Sequence, residues 1–161
     1  SLVGTGGTLK ANASDFMDEA FLFAHADNLC VANFEAFFSA HEKRAKGIQI
    51  TMMTFVTDQP KNCGVVELND DGIVVKFQEK VDNPTSNCAN GAIFVMEPSV
   101  AEDIRNNRAE FIDFCADELP NYVGRIQAWP NDVYLRDIGT PESYENANRD
   151  WKEILDKMKR T

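Results

Sequence analysis

Three polar clusters in this chain directly follow segments that read as β-strands. Asp27 comes after the apolar run 20–26, and Asp137 ends a short strand before a glycine turn. Glu79 and Lys80 end a third strand. In open α/β sheets, ligands bind outside the carboxyl ends of the strands. Two carboxylates and a lysine at such ends suit electrostatic catalysis with a divalent cation better than covalent catalysis.

Each of these clusters also has a purely structural interpretation. Asp27 could be the N-cap of a helix that begins near Val31, and Glu79-Lys80 could be a solvated strand end. Residues 140–142, Thr-Pro-Glu, are typical of a helix start. Capping does not explain Asp137, however, because this carboxylate lies before the turn.

A glycine-rich segment, Gly4-Thr5-Gly6-Gly7, precedes a short helix predicted over residues 8–13. Backbone N–H groups at such a position can bind an anion or the edge of a base. The signal is weak, because it matches neither a Walker A loop nor a dinucleotide-binding fingerprint. His25 and His41 fit side chains at the core edge or the surface better than ligands, and neither has the nucleophile neighbour of a catalytic triad.

Composition and charge exclude several classes of protein. The 161 residues are 43% apolar and 26% charged, which predicts one soluble domain over residues 1–161. The net charge of −10 argues against nucleic acid as a partner, and no apolar run is long enough to span a membrane. The four cysteines are widely spaced and show no zinc-ligand pattern. They predict reduced, partly buried thiols and hence a cytoplasmic protein.

The hydrophobic pattern predicts alternating strands and helices. The run 20–26 reads as a central strand covered on both faces, and residues 31–46 read as an amphipathic helix that Gly47 ends. The segment Asn69-Asp70-Asp71-Gly72 predicts a hairpin turn. The other predicted elements are strands at 48–57, 64–68, 73–77, 89–96, 125–129 and 133–135, and helices at 98–106, 109–119 and 141–159. Together they predict an α/β fold with a mixed sheet.

The order of the motifs along the chain is more specific than any one of them. In chain order they are LVGTGGTLK (2–10), FLFAHADN (21–28), GVVE (64–67), FQEK (77–80), NGAIFV (90–95) and DIGTPESY (137–144). This series resembles the sugar-phosphate nucleotidyltransferases, also called nucleotide-sugar pyrophosphorylases. The resemblance extends over essentially the whole chain, from Gly4 to Trp151.

The resemblance implies a Rossmann-like α/β sandwich with a mixed, mainly parallel sheet. It also implies a reaction in which a nucleoside triphosphate and a sugar 1-phosphate give a nucleotide-sugar and pyrophosphate, with Mg²⁺ as cofactor. By the same resemblance, Asp27 and Asp137 are the metal-binding pair. Lys80 would hold the phosphate of the sugar.

The remaining site residues that the resemblance implies would bind the two substrates. Glu79 and Asn90 would bind sugar hydroxyls, and the backbone at Gly64 would line the sugar pocket. The base and ribose of the nucleotide would contact Gly4, Thr5 and Gly6.

The chain departs from the family pattern at three places. The glycine-rich phosphate loop that opens the family signature, with its arginine and lysine, is not in this chain and would lie upstream with the first βα unit. His25-Ala26 stand where the family usually has Asn-Gly, and Val81 stands where a proline usually follows the lysine. We expect the chain to be catalytically inactive if the upstream unit is truly absent and not supplied by another chain.

Several substrate assignments are compatible with these motifs. The glycine-rich segment favours GTP with a mannose- or heptose-type sugar 1-phosphate, and the alternatives are enzymes that use dTTP or UTP with glucose 1-phosphate. A non-catalytic, nucleotide-sugar-binding or regulatory relative is an alternative from a different functional class. The missing phosphate loop and the changed residues before Asp27 favour that alternative somewhat.

The predicted C-terminal helix carries an apolar stripe that includes Tyr144, Ala147, Trp151 and Ile154. This stripe could pack on the sheet or on a second subunit of a homo-oligomer. We expect it to pack on the sheet.

Overall fold

A computed structural model describes residues 2–158 of the chain. Its strands are β1 (Phe21–Ala24), β2 (Asn28–Val31), β3 (Ile50–Val56), β4 (Gly64–Leu68), β5 (Val74–Glu79), β6 (Cys88–Met96), β7 (Ile126–Pro130) and β8 (Tyr134–Asp137). Its α-helices are α1 (Gly4–Ala11), α2 (Phe34–Glu42), α3 (Pro98–Asn106) and α4 (Pro141–Met158). Short helical turns lie at Ala13–Phe16, Pro60–Asn62, Phe114–Glu118 and Leu119–Tyr122.

Six strands form one mixed sheet. Five follow the order β5-β4-β6-β3-β7, and β1 also pairs with β6. The prediction of an α/β fold with a mixed sheet is confirmed. The expectation of a mainly parallel sheet is wrong for the strand pairs in residues 2–158, where only β3 and β7 pair in parallel. The reason is that β6 enters the centre of the sheet and runs antiparallel to β1, β3 and β4.

The central strands β3 and β6 are buried on both faces along most of their length. Successive side chains of a strand point to opposite faces, so Met52 and Phe94 enter one apolar cluster, which α3 and the helical turns cover. Met53 and Val95 enter a second cluster with Phe37 of α2. These two layers hold the sheet rigidly and leave its strand ends free to carry polar groups.

The strand β1 is not covered on both faces, contrary to the prediction. Phe21 is buried and its ring stacks on Phe16 at 4.6 Å between centroids. Leu22 and Ala24 point to the other face, and the Leu22 side chain is 45% exposed. The apolar run predicted the strand correctly but not the solvent exposure of one of its faces.

A separate two-stranded antiparallel ribbon forms from β2 and β8, with Asn28 opposite Asp137. The interpretation of Asp27 as the N-cap of a helix near Val31 is therefore wrong. The helix α2 begins at Phe34, where the Asn33 side chain accepts a hydrogen bond from Ala36 N at 3.0 Å. Val31, where the predicted helix 31–46 was expected to begin, instead pairs with Tyr134, a residue distant in sequence.

The observed bounds of several other elements also differ from the predicted ones. The helix α1 begins at Gly4, not at residue 8, and α2 ends at Glu42, so Gly47 does not cap it. The helix predicted at 109–119 is a short π-helical turn at Phe114–Glu118. Lys159, the predicted end of the last helix, lies outside the described residues.

The helix α4 packs against the ribbon, which corrects the expectation that it packs on the sheet. Tyr134 Oη and Arg136 Nε of β8 both donate to Asp150 Oδ2, at 2.9 and 3.0 Å. Leu29 and Ile138 of the ribbon segment share an apolar hollow with Trp151. The formation of a homo-oligomer stays a prediction.

All four cysteines lie within the described residues and are free thiols. Burial raises the pKa of each thiol, and raises that of Cys115 to about 12. The thiols are therefore protonated and weakly nucleophilic near neutral pH. No helix within residues 2–158 has both the length and the apolar character needed to cross a bilayer. A cytoplasmic location stays a prediction.

Asn131 joins the ribbon to the sheet. Its side chain is buried, and Nδ2 donates to Val31 O at 3.2 Å and to Tyr134 O at 3.0 Å, one carbonyl from each strand of the ribbon. Its backbone N–H donates to Thr54 O of β3 at 2.7 Å. Asn131 therefore joins the ribbon to the central sheet, with its side chain bonded to the ribbon and its backbone bonded to β3.

We expect Asn131→Ala to lower the free energy of unfolding by about 1–3 kcal/mol, because two carbonyl groups would lose their donor. Urea unfolding followed by circular dichroism measures this loss. Asn106→Ala, at an exposed position of α3, is the matched control and should change stability by less than about 0.5 kcal/mol. Equal effects of the two substitutions would contradict the role of Asn131.

Candidate active site

One cavity collects five of the residues predicted from the sequence. They are Gly64, Glu79, Lys80, Asn90 and Asp137. The cavity lies where β1 and β5 end, where β4 begins and beside the final residue of β8. This position, at strand ends of a mixed sheet, agrees with the expected location of a ligand site in an α/β fold.

Backbone strain is concentrated at this cavity. Lys80 and Ala92 have φ angles of 47° and 51°, and they are the two non-glycine residues with positive φ in the part of the chain that the structure describes. Both line the cavity. Such conformations cost of order 1–3 kcal/mol each and cluster at functional sites. Lys80 N donates to Cys63 O at 3.3 Å, which helps to hold the strained residue in place.

Glu79 lies against the backbone of Gly64. A Cβ atom at Gly64 would collide with Glu79 Oε2 and lie 2.9 Å from Phe77 Cζ, so the glycine is needed for this close approach. Burial raises the pKa of Glu79, and the nearby Asp113 carboxylate raises it further. Lys80 Nζ, 3.8 Å from Glu79 Oε1, acts in the opposite direction. The site therefore holds a partly desolvated carboxyl group beside an exposed ammonium group.

Asp27 and Asp137 converge on one point. A Cβ atom at Gly139 would lie 3.0 Å from Asp137 Oδ1 and 3.4 Å from Asp27 Oδ2. Gly139 N donates to Asp137 Oδ1 at 2.7 Å, and Ile138 N donates to Asp27 O at 2.7 Å. Both aspartates are exposed. Because residue 139 is a glycine, it brings no side chain of its own against the two carboxylates.

This pair fits a hard divalent cation such as Mg²⁺. Carboxylate oxygens are suitable Mg²⁺ ligands, and Mg²⁺ usually keeps several waters or substrate phosphate oxygens in addition to one or two carboxylates. Within residues 2–158, no cluster of three or more Asp, Glu, His or Cys side chains is arranged to hold a metal. Asp27 and Asp137 would therefore share the cation with water or phosphate ligands.

The glycine-rich segment does not line the cavity. Gly6 N and Gly7 N donate to Ile112 O at 2.8 and 3.2 Å, so the expectation that these N–H groups are open to a ligand is wrong. Gly4 has a φ angle of +80°, and a Cβ atom there would collide with Ile112 O. In this structure these glycines permit close backbone packing.

Thr5 contacts the segment that follows Ile112. Its Oγ1 accepts a hydrogen bond from Phe114 N at 2.9 Å. Asp113 and Cys115, on either side of Phe114, line the cavity. The start of α1 thus supports one wall of the cavity from behind. Contact of Gly4, Thr5 and Gly6 with a base and ribose stays a prediction.

Asn90 uses its side chain within the protein. Its Oδ1 accepts from Ala92 N at 2.9 Å, and its Nδ2 contacts Cys115 Sγ at 3.4 Å. The first bond holds Ala92 in its strained conformation, at a point where the pairing of β3 with β6 shifts register. Binding of sugar hydroxyls by Asn90 stays a prediction.

Sequence reasoning missed several polar residues of the cavity, among them Asp113 and Asn28. Asp113 lay inside the predicted helix 109–119, but its Oδ1 caps a short turn by accepting from Cys115 N at 3.0 Å and Ala116 N at 3.1 Å. An aspartate before a short apolar run is a capping signal that could have placed it at a helix start. Asn28 was part of a quoted motif but received no role.

Comparison with known proteins identifies the family. Residues 4–154 match the sequence model of a family described as nucleotidyl transferase. The chain belongs to the nucleotidyl transferase family. This confirms the resemblance on which the site assignments rest, and the α/β fold agrees with it.

Among curated proteins, the chain is similar to glucose-1-phosphate adenylyltransferases. It is 29% identical to the one from Thermomicrobium roseum over 133 residues, which cover 79% of this chain and 31% of that protein. It is 25% identical to the one from Bacillus cereus over 158 residues, which cover 91% of this chain and 42% of that protein. The chain thus spans less than half the length of these relatives.

Solved structures share the family fold. A Bacillus anthracis protein assigned as a glucose-1-phosphate thymidylyltransferase, in complex with a sucrose, matches with a TM-score of 0.82 at 15% identity, covering 92% of this chain and 61% of that one. HddC from Yersinia pseudotuberculosis, complexed with GMP-PN, matches with a TM-score of 0.73 at 20% identity, covering 94% and 64%. At these identities the likeness shows the fold.

We expect Glu79→Gln to raise the free energy of unfolding at about pH 7 and to have little effect at about pH 3. Burial raises the pKa of Glu79 above its ordinary value of 4.5, so the folded chain holds this proton more tightly than the unfolded chain. Stability is therefore lost as the pH rises from that ordinary pKa through the raised one. An amide cannot ionise and avoids the loss. Urea unfolding at the two pH values measures the difference.

Glu67→Gln is a matched control with the opposite sign. Hydrogen bonds from Lys76 Nζ, at 2.8 Å, and from the Thr85 hydroxyl lower the pKa of Glu67. Its ionised form therefore stabilises the fold above the ordinary pKa, and this contribution is lost as the pH falls through the lowered one. Substitution should reduce stability at about pH 7. A shift of the two variants in the same direction would contradict this assignment.

Proposed function

We propose that this chain provides the sugar 1-phosphate site and the metal-binding carboxylates of a sugar-1-phosphate nucleotidyltransferase. The observation that carries the proposal is the meeting of Lys80, Glu79 and Asp137 in one cavity, with Asp27 beside Asp137. Membership of the nucleotidyl transferase family supports it. The reaction joins a nucleoside triphosphate and a sugar 1-phosphate to give a nucleotide-sugar and pyrophosphate.

The reaction needs positioning and charge neutralisation more than it needs a protein nucleophile. A phosphate oxygen of the sugar 1-phosphate attacks the α-phosphorus of the triphosphate, and pyrophosphate leaves with the electrons of the broken bond. When bound, Mg²⁺ would neutralise phosphate charge and orient the leaving pyrophosphate. Asp27 and Asp137 would hold that cation on the ribbon.

Lys80 and Glu79 would fix the sugar 1-phosphate. The Lys80 ammonium is exposed at the cavity and supplies a positive charge for the phosphate group. At about 4 Å and an effective dielectric constant of about 20, a unit-charge pair is worth about 4 kcal/mol. The Glu79 carboxyl group, which closes one side of the cavity over Gly64, can accept hydrogen bonds from sugar hydroxyls.

We take glucose 1-phosphate as the first candidate sugar substrate, because the similar curated proteins are named glucose-1-phosphate adenylyltransferases. The preference for GTP with a mannose- or heptose-type sugar rested on the glycine-rich segment. Two N–H groups of that segment bond to Ile112 O and are not open to a base in this structure, so the names of the relatives guide the first choice of sugar. HddC complexed with GMP-PN keeps a guanine nucleotide among the candidates.

Pyrophosphate release measures the proposed activity and identifies the base. The assay uses the full natural protein and Mg²⁺. Each of the triphosphates ATP, dTTP, GTP and UTP is tested in turn with glucose 1-phosphate and with mannose 1-phosphate. Release that needs both one triphosphate and one sugar 1-phosphate supports a transferase. Tight binding of a nucleotide-sugar without any release supports the non-catalytic alternative instead.

We expect Asp137→Asn to lower kcat by about a hundredfold or more, because metal assistance of phosphate chemistry supplies several kcal/mol. Melting temperature should change little, since Asp137 is exposed. Asp132→Asn is the matched control, an exposed aspartate on the loop before β8. Near-normal turnover by Asp137→Asn would contradict the metal-binding role.

We expect Lys80→Ala to raise KM for the sugar 1-phosphate by about tenfold to a hundredfold, the value of a hydrogen bond to a charged group. KM for the triphosphate should stay within about twofold. Lys46→Ala, at an exposed position away from the cavity lining, provides the control. A loss confined to the triphosphate would show that Lys80 serves the other substrate.

A further inference from the structure

His25 has a buried nitrogen without a hydrogen-bond partner. Its Nε2 is the one buried side-chain nitrogen or oxygen left unpaired among the side chains that the structure describes. The other histidine, His41, is fully paired. Its Nδ1 lies 2.7 Å from Thr51 Oγ1 and its Nε2 lies 3.1 Å from Glu97 Oε1. The two imidazoles therefore differ in hydrogen bonding: His25 has a nitrogen that lacks a partner, whereas both nitrogens of His41 have one.

His25 lies on the wall of the candidate active site. It follows β1 directly and lines the same cavity as Glu79 and Lys80. Its backbone N–H donates to Ala92 O at 3.0 Å, which fixes the main chain at this point. The imidazole stands edge-on to the Phe23 ring, with centroids 6.1 Å apart and planes at 81°. An aromatic surface thus shields one side of the imidazole, and the cavity adjoins it.

A ring orientation or a ligand that gives the buried nitrogen a hydrogen-bond partner lowers the free energy of the protein. Leaving such a group unsatisfied costs about 1–3 kcal/mol. The torsion that turns an imidazole ring is broad, so the ring of His25 can present an N–H to the cavity without moving the backbone. A hydrogen bond formed there is strengthened by the low local dielectric.

We propose that His25 is a binding residue for the sugar 1-phosphate, to which its imidazole N–H donates a hydrogen bond at an oxygen atom. This inference rests on the proposed function, because it takes the occupant of the cavity to be that substrate. In this cavity Lys80 and His25 can donate hydrogen bonds, and Glu79 can accept them. The phosphate and hydroxyl oxygens of a sugar phosphate match this combination.

The imidazole nitrogens of this chain can be observed directly by NMR. The chain contains two histidines, so long-range ¹H–¹⁵N spectra show four side-chain nitrogens. Glucose 1-phosphate and mannose 1-phosphate are added in separate titrations, without a divalent metal. We expect the better-bound sugar phosphate to shift the His25 nitrogens and to leave those of His41 in place. Titrations with glucose and with inorganic phosphate tell which oxygens are responsible.

Substitutions of His25 measure how much of the affinity for the sugar phosphate depends on its imidazole ring. His25→Ala should weaken binding of that sugar phosphate by about tenfold, and His25→Gln should restore part of it because its amide can donate. His25→Ala removes no hydrogen bond of the free chain, so the loss of the contact with Phe23 should lower the melting temperature only slightly. A structural role would lower the melting temperature strongly and would not be rescued by glutamine.

The outcomes separate the inference from the proposed function. If the sugar phosphate binds and Lys80→Ala weakens it, but the His25 nitrogens and His25→Ala have no effect, the role of His25 is overturned and the proposed function stands. If neither sugar phosphate binds to the wild-type chain, both are overturned. Shifts of His25 with glutamine rescue support both.

Discussion

The antiparallel pairing of β2 with β8 is the constraint on which the candidate site depends. It places Asn28 opposite Asp137, so that Asp27 and Asp137 approach each other although they are far apart in the sequence. Gly139 brings no side chain of its own against their carboxylates. A shift of one residue in this register would turn Asp137 to the other face of the ribbon. Asn131 and α4 hold the ribbon in place, and their contribution to function is therefore indirect.

The opposite wall of the cavity is held by strained and closely packed backbone. Lys80 and Ala92 adopt left-handed conformations, and Gly64 lets Glu79 lie against the main chain. These features lower stability locally, and the two buried layers around β3 and β6 offset that cost. The backbone that carries Glu79 and Lys80 is therefore held in place before a ligand binds. The proposed reaction between two polyanions benefits from charges on such a preorganised frame.

Local patterns predicted much of the fold, but not the parts that depend on distant pairing. Apolar runs and the turn 69–72 could be recognised, because strand and hairpin signals act over a few residues. The strand β2 could not, since its pairing with β8 decides its structure. The resemblance implied that Asp27 and Asp137 form a pair, and the register of β2 with β8 supplies the physical reason for their proximity. Asp113 was missed because a helix was predicted around it.

Paramagnetic broadening by Mn²⁺ tests most directly the claim that both strands of the ribbon serve one cation. NMR spectra of this chain are recorded as Mn²⁺, a substitute for Mg²⁺, is added in small amounts. The account predicts that signals of Asp27 and of residues 137–139 broaden first and together, because both carboxylates face the same point. Asp27→Asn should remove the broadening at Asp137 as well. Broadening on one strand alone, or elsewhere in the chain, would contradict the account.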